Sequence, residues 1–352
     1  MSRGVSTLRW PTAYWSRRWG PVFEPLPLLA IVGPTAVGKT AVSVEVARRL
    51  NGEIVSADSM LIYRYLDIGT AKPTMAERRG IPHHMIDIID PDEPYSVALY
   101  QAAARKHINE IWQRGRLPML VGGTGLFVRS VVRPYHFTGA GVDPLFREQM
   151  AEEARRQGPL ALHRRLARVD PVSAERIHPH NIKRVIRALE VYHLTGRPMS
   201  AGLENEARGP VYNLLFIGLT MDRRQLYRRI EDRVDEMMAA GLVEEVKGLL
   251  HRGYHAGLQS MQGLGYREMV YYLRGLCSRE EAVRLLKRNT RRFAKRQFTW
   301  FRREPDIQWI DVGRSGGSEK TAAEIAARAA GVFPYVSKSY LEKKLPTEGP
   351  AR

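Results

Sequence analysis

Hydrophobic and polar positions change period several times along this chain, and the changes mark its elements. Residues 28–32, Leu-Leu-Ala-Ile-Val, form a continuous apolar run between Pro27 and Gly33, as expected of a short strand buried on both faces. Ala41–Leu50 reads as a helix, and Gly52–Asp58 as a second strand that ends on a carboxylate. The stretch 83–91, "HHMIDIIDP", is a third strand candidate. A helix is predicted over Ser96–Arg114, and "LPMLVGGTG" from Leu117 gives a strand that runs into a glycine turn. Strand and helix alternate with short links, which predicts an α/β fold with a parallel, doubly wound sheet. Ligands of such sheets sit beyond the carboxyl ends of the strands, where Lys39, Asp58 and Thr124 fall.

From about Pro134 helices take over: Asp143–Gln157, Pro159–Val169 and Asn181–Leu194, before "YNLLFIGLT" returns to the sheet at Phe216–Leu219. Further helices are predicted over Arg223–Ala240, Val243–Arg252, Arg267–Arg274 and Arg279–Arg302. The expected architecture is a P-loop NTPase-like parallel sheet core with an inserted helical domain. Residues 28–127 and 211–313 form the core and its C-terminal helices, and 128–210 the insertion. Residues 1–27 are a basic extension expected to be disordered, and 314–352 a peripheral tail.

The first strand ends in Gly33-Pro34-Thr35-Ala36-Val37-Gly38-Lys39-Thr40. Glycines let backbone N–H groups converge on an anion, Lys39 adds a point charge, and the Thr40 hydroxyl can ligate Mg²⁺. The loop binds phosphate but does not fix the chemistry; kinases, GTPases and ATP-driven machines all use it, and ATP is one possible occupant. No Asn-Lys-x-Asp motif is present, which argues against a GTPase. The strand "PMLVGG" ends in Gly122-Gly123-Thr124 and not in the carboxylate that motor ATPases set beside Mg²⁺. Asp58 ends the second strand instead, as a turn residue or, opposite the loop, as a general base.

Charge adds a partner. Among 352 residues, 55 Lys and Arg outweigh 37 Asp and Glu, a net charge of +18. An excess of that size points to a polyanion, nucleic acid first. Residues 284–303, "RLLKRNTRRFAKRQFTWFRR", hold nine basic side chains, four aromatics and no acid. On a helix Arg284, Arg288, Arg292 and Arg296 share one stripe, and Lys287, Arg291 and Lys295 an adjacent one. A single cysteine, Cys277, excludes a disulfide framework and a cysteine-rich zinc site, and the expected compartment is the cytoplasm. No apolar run approaches the about 18–20 residues that cross a bilayer, so no membrane partner is expected. The arginine-rich, acid-poor start has the composition of a transit peptide, but its tryptophans and prolines favour a dispensable extension. His83 and His84 near Asp87 and Asp90 lack metal-site spacing and read as structural.

The blocks "GPTAVGKT", "SADSMLIYRYLDIGTAKP", "PHHMIDIIDP", "VGGTGLF", "RALEVYHLTG", "SMQGLGYREM" and "AKRQFTWFRRE", in this order over about residues 28–310, resemble the signature of bacterial tRNA dimethylallyltransferases. The resemblance implies that the loop grips the diphosphate of dimethylallyl diphosphate, with Mg²⁺ as cofactor. The prenyl group would go to N6 of adenine 37, beside the anticodon, in tRNAs reading codons that start with U, and the partner would be the tRNA anticodon stem-loop. By the same resemblance Asp58 takes the N6 proton, Arg233 clamps the diphosphate and Thr35 lines the prenyl-diphosphate pocket. Contacts to tRNA are implied for Asp58, Ser59, Met60 and Leu61, for Thr124 and Arg147, and for Lys183, Arg184, Val185, Ile186 and Arg187. They are also implied for Gln262, Gly263, Leu264, Gly265, Tyr266 and Arg267, and for Lys295, Arg296, Gln297, Phe298, Thr299, Trp300, Phe301 and Arg302. A monomer is expected. Competing readings are prenylation of a free adenine nucleotide, a small-molecule kinase, and an RNA-binding ATPase or scaffold; the helical insertion and the basic helix argue against the first two.

Overall fold

The computed structural model describes residues 25–135, 137, 141–202 and 211–334. Most of the basic extension, and the tail from 335, lie outside the described residues. The chain opens with β1 (Pro27–Val32), α1 (Lys39–Leu50), β2 (Gly52–Ala57), a four-residue α2 (Met75–Arg78), β3 (His83–His84), α3 (Val97–Gln113), β4 (Leu117–Gly122) and α4 (Gly125–Val132). Four helices follow: α5 (Pro144–Gln157), α6 (Pro159–Val169), α7 (Pro171–Arg176) and α8 (Ile182–Thr195). The chain returns with β5 (Asn213–Thr220), α9 (Arg223–Ala239), α10 (Leu242–His251), α11 (Tyr266–Leu273), α12 (Arg279–Phe301), β6 (Gln308–Asp311) and α13 (Ser318–Val332).

Six parallel strands form one sheet in the order β3-β2-β4-β1-β5-β6. Every residue of β1, β2 and β4 is buried, which is why these strands read as apolar runs and not as alternations. Ile31 sits between Val121 of β4 and Ile217 of β5. Above them pack Val42 and Val46 of α1, joined by Ala322, Ile325, Ala326 and Ala329 of α13 and by Phe333. The segment after residue 313, expected to be peripheral, therefore closes one face of the sheet as far as Phe333.

Other expectations shift as well. Of the predicted strand 83–91 only His83 and His84 pair with β2, because Met85 and Asp87 take left-handed backbone (φ 64° and 57°) and turn the chain away. The strand β6 and the helix α4 were not predicted. Residues 128–132 complete α4, so the helical unit begins at Arg133, and it runs to Val211.

That unit has its own core of Phe146, Met150, Leu162, Leu166, Val185, Ile186 and Leu189. At its heart Glu190 is fully buried and accepts two hydrogen bonds from Arg147, at 2.8 and 2.9 Å, one from the Asp143 N–H at 2.8 Å, and one from Arg187. The two guanidiniums and the amide hold the Glu190 carboxyl below its usual range against the opposing effect of burial. Removing both arginines would leave a buried carboxylate with only the Asp143 N–H to hold it.

A second core in the sheet-bearing unit carries the site. It joins Ile62, Tyr63 and Leu66, from the segment after β2, to Val234 of α9, Leu242 and Val246 of α10, Met269 of α11 and Leu286 of α12.

Candidate active site

The phosphate loop closes as its glycines dictate. Gly33 has φ 152°, and a Cβ there would meet the Leu219 carbonyl oxygen at 2.6 Å, so no larger residue fits. Lys39 folds back and donates to the carbonyls of Gly33 at 3.0 Å and Pro34 at 2.8 Å. Burial pushes its ammonium down to about 8; the Asp58 carboxylate partly opposes this, and Arg233 adds to it.

Asp58 follows β2, beyond its carboxyl end. Its Oδ1 accepts the Met60 N–H at 2.9 Å, so the expected turn role is real, and the other oxygen has no hydrogen-bond partner among the described residues. The neighbouring Ser59 N–H donates to the Thr124 hydroxyl at 3.0 Å, while the Thr124 N–H donates to the Ala57 carbonyl at 3.0 Å. Thr124, expected to touch tRNA, thus ties the end of β4 to the turn that carries Asp58.

Between the loop and this turn lies a cleft of about 350 Å³. Thr35, Lys39, Thr40 and Arg233 line it together with Asp58, Ser59 and Leu61. Ile230, Val234, Met237, Leu286 and Phe293 supply an apolar wall. Arg233 comes from α9, and burial together with the nearby Arg229 lowers its guanidinium from the ordinary value. One turn earlier on the same helix, the terminal nitrogens of Arg229 lie 3.7 and 4.0 Å from the point that a Cβ on Gly38 would occupy. Neither arginine is ion-paired among the described residues, so both leave positive charge for an anion at the loop. Arg229 was missed, although the spacing in "RRIEDR" sets it one helical turn from Arg233.

The far side of the cleft depends on Glu245, also missed. Its carboxylate accepts the N–H groups of Asp67, Ile68 and Gly69 at 3.1, 2.8 and 3.1 Å, and the Tyr266 hydroxyl at 2.7 Å. This holds the segment from which Gly69, Thr70 and Ala71 line the cleft. No local pattern signals a carboxylate that binds a loop 176 residues away.

Several residues expected to touch tRNA are core. Val185 and Ile186 sit inside the helical unit; Gly265, Tyr266, Gln297 and Phe301 are buried in the other. The helical period alternates the faces of each block, so a contiguous run cannot all face RNA. Arg147 and Arg187 are engaged by Glu190, as described, and Arg267 by the buried Glu268 at 2.7 Å. Lys183, Arg184, Gln262, Lys295, Arg296, Thr299 and Arg302 are exposed. A Cβ on Gly263 would lie 2.4 Å from the Met60 side chain, so the segments around Gly263 and Met60 meet at the cleft, which Leu264 also lines. Phe298 packs on Trp309 and beneath Arg302, and Trp300 lies against Gly125.

Among the described residues both stripes of α12 contain paired and unpaired cations, and Arg284 pairs with Glu281 one turn before it. Lys287 pairs with Asp235 and Arg291 with Glu231, both acids of α9. Arg288, Arg292 and Lys295 are exposed and have no such partner among the described residues. No described helix is long and apolar enough to cross a membrane. His84 lies 2.7 Å from the Glu53 carboxylate and stacks on His107.

A glycine-bracketed loop with a buried lysine, two arginines and a carboxylate at one cleft has the make-up of an enzyme active site. Comparison with known proteins narrows the class. The IPP transferase profile matches residues 61–304 and an isopentenyl transferase profile residues 26–87. The chain is 57% identical to the tRNA dimethylallyltransferase of Pelotomaculum thermopropionicum, over 87% of this chain and 98% of that protein. It is 52% identical to that of Carboxydothermus hydrogenoformans, over 86% and 97%. Among solved structures, the tRNA isopentenylpyrophosphate transferase of Bacillus halodurans matches at 48% identity and TM-score 0.65, over 90% of this chain and 99% of that one. A eukaryotic dimethylallyltransferase acting on tRNA matches at 26% identity and TM-score 0.71, over 93% and 82%. The chain belongs to the IPP transferase family, and is a tRNA-modifying prenyltransferase.

Proposed function

We propose that this enzyme transfers a dimethylallyl group from dimethylallyl diphosphate to N6 of adenine 37 in tRNAs that read codons starting with U. The N6 lone pair forms the new bond to the allylic C1, the C1–O bond breaks, diphosphate leaves with the electron pair, and the N6 proton passes to Asp58. One observation carries the reading: the phosphate loop and Asp58 line a single cleft together with the apolar side chains Ile230, Val234, Met237, Leu286 and Phe293. The apolar wall suits a five-carbon chain, and the relatives' names supply the reaction class.

Each group has a physical task. An allylic C–O bond ionises readily once charge on its leaving group is neutralised, so donors aimed at the diphosphate are the main catalytic device. Lys39, Arg233 and the loop amides meet that need. An exocyclic adenine amine is a weak nucleophile because its lone pair is delocalised into the ring, and a base within hydrogen-bond reach helps as the bond forms. Thr40 lines the cleft with a hydroxyl that suits Mg²⁺ and bonds to no other described residue. No cluster of three metal-ligating residues occurs among the described residues, which fits an ion held jointly with substrate phosphates. Bound there, Mg²⁺ would neutralise leaving-group charge. We place the reaction in the cytoplasm, with the enzyme acting as a monomer.

Incubation with labelled dimethylallyl diphosphate, Mg²⁺ and unmodified tRNA tests the proposal. Label on the N6 of adenine 37 is the expected result; tRNA binding without label transfer would contradict it.

The Lys39 ammonium makes a second prediction. Only its protonated form attracts the anion, so pyrophosphate affinity should hold below about pH 8, where the lysine titrates. Above that pH it should fall by up to roughly tenfold per unit. Lys39→Arg stays charged and should lack this fall. Titration calorimetry of both proteins with inorganic pyrophosphate compares them, and parallel profiles would refute the assignment.

A further inference from the structure

Helix α12 presses on the turn that follows β4. A Cβ on Gly123 would fall 2.2 Å from Gln297 Nε2, and one on Gly125 would fall 2.2 Å from the Trp300 ring. A larger residue at Gly123 or Gly125 would therefore displace Gln297 or Trp300, while the Ala57 backbone excludes one at Gly122. Gln297 is only 6% exposed, although Lys295 and Arg296 beside it face solvent. Both ends of its amide are engaged. Oε1 accepts the Thr35 N–H of the phosphate loop at 2.8 Å, and Nε2 donates to the Gly123 carbonyl at 2.9 Å. The next residue, Thr124, holds the Ser59 N–H beside Asp58. Contacts thus run from Thr35 through Gln297, Gly123 and Thr124 to the turn that presents the carboxylate.

We infer that Gln297 is a positioning residue that sets the spacing between the diphosphate cradle and the carboxylate across the cleft, a role that rests on the function proposed above. Gln297 belongs to the block that resemblance assigns to tRNA contact, but it is buried and each end of its amide is bonded within the protein. The chemistry requires an amide. It accepts and donates at once, while an ionised carboxylate at the same position only accepts. A leucine does neither, leaving the Thr35 N–H and the Gly123 carbonyl without their partner.

Two variants of the full-length enzyme test this, Gln297→Leu and Gln297→Glu. Readouts are kcat for prenyl transfer to unmodified tRNA, KM for dimethylallyl diphosphate, and tRNA affinity by filter binding. Misplacing reacting groups by a fraction of an ångström to one ångström costs up to roughly a hundredfold in rate. Gln297→Leu should therefore lose about that factor in kcat, with KM and tRNA affinity within about twofold. In Gln297→Glu a protonated acid restores both an acceptor and a donor, whereas the carboxylate opposes the Gly123 carbonyl. Its kcat relative to the parent should rise as pH is lowered from about 8 towards about 5.5. Lys39, Asp58, His83 and Arg233, the charged and titratable groups that line the cleft with Gln297, are common to both proteins, so the ratio isolates position 297.

An unchanged kcat in Gln297→Leu would overturn the inference, as would a pH-independent Glu-to-parent ratio or a loss confined to tRNA affinity. If Gln297→Leu does not fold, the near-isosteric glutamate variant decides alone. Absence of prenyl transfer by the parent itself would instead remove the underlying function, so the two failures are distinct.

Discussion

Replacing Asp58 by alanine is expected to lower prenyl transfer at saturating substrates by about a thousandfold, within the range that positioned general bases contribute. Affinity for tRNA should stay within about twofold, because one carboxylate adds little to a surface that binds through many cations. The carboxylate does two things in the structure. It caps the turn by accepting the Met60 N–H, and it lines the cleft together with the phosphate loop. Asp58→Asn separates them: the amide oxygen keeps the turn but cannot take a proton. The asparagine variant should therefore be nearly as slow as the alanine variant while unfolding at the parent's temperature. Turnover close to the parent's in either variant would exclude Asp58 as the proton acceptor.

The second large effect concerns RNA affinity. Changing Arg288, Arg292 and Lys295 together to alanine should weaken tRNA binding on the order of a hundredfold at low salt, and should lower the slope of log K against log salt by roughly 2 to 3. These three are exposed on α12 and have no acidic partner among the described residues. Lys287 and Arg291 are the built-in comparison. They lie on the same helix but are matched to Asp235 and Glu231 of α9, so changing both should alter the slope little. Equal salt slopes for the triple variant and the parent would show that this face meets something other than RNA.

Legibility followed the range of the interactions. The phosphate loop was readable because its geometry is local: Gly33, Lys39 and Thr40 lie within one turn joining a strand to a helix. The strands β1, β2 and β4 were readable because burial on both faces makes them apolar throughout. Sequence reasoning failed where partners are remote. Gln297 looked like one member of a basic, RNA-facing segment, and only the fold brings it between Thr35 and Gly123. Glu245 drew no notice in the sequence, since its partners, the Asp67–Gly69 N–H groups, lie on a distant loop. Arg147 and Arg187 entered only as implied tRNA contacts, and their pairing with the buried Glu190 appears only in the fold. The alanine-rich α13 carries a weak amphipathic signal, and its place against α1 depends on small side chains that allow close approach. Strand β6 is only four residues long and half-exposed, too short for a period to declare itself.

The claim at the centre is that one cleft brings an expelled diphosphate and an adenine N6 to opposite sides of a five-carbon chain, with Asp58 on the adenine side. A crystal structure of the enzyme with a non-hydrolysable thiolo-analogue of dimethylallyl diphosphate and an anticodon stem-loop measures this directly. The account predicts the diphosphate against the loop amides, Lys39 and Arg233, with an Asp58 carboxylate oxygen within about 3.2 Å of N6 of the flipped adenine. A carboxylate turned away from that nitrogen, or a diphosphate bound outside the loop, would contradict it.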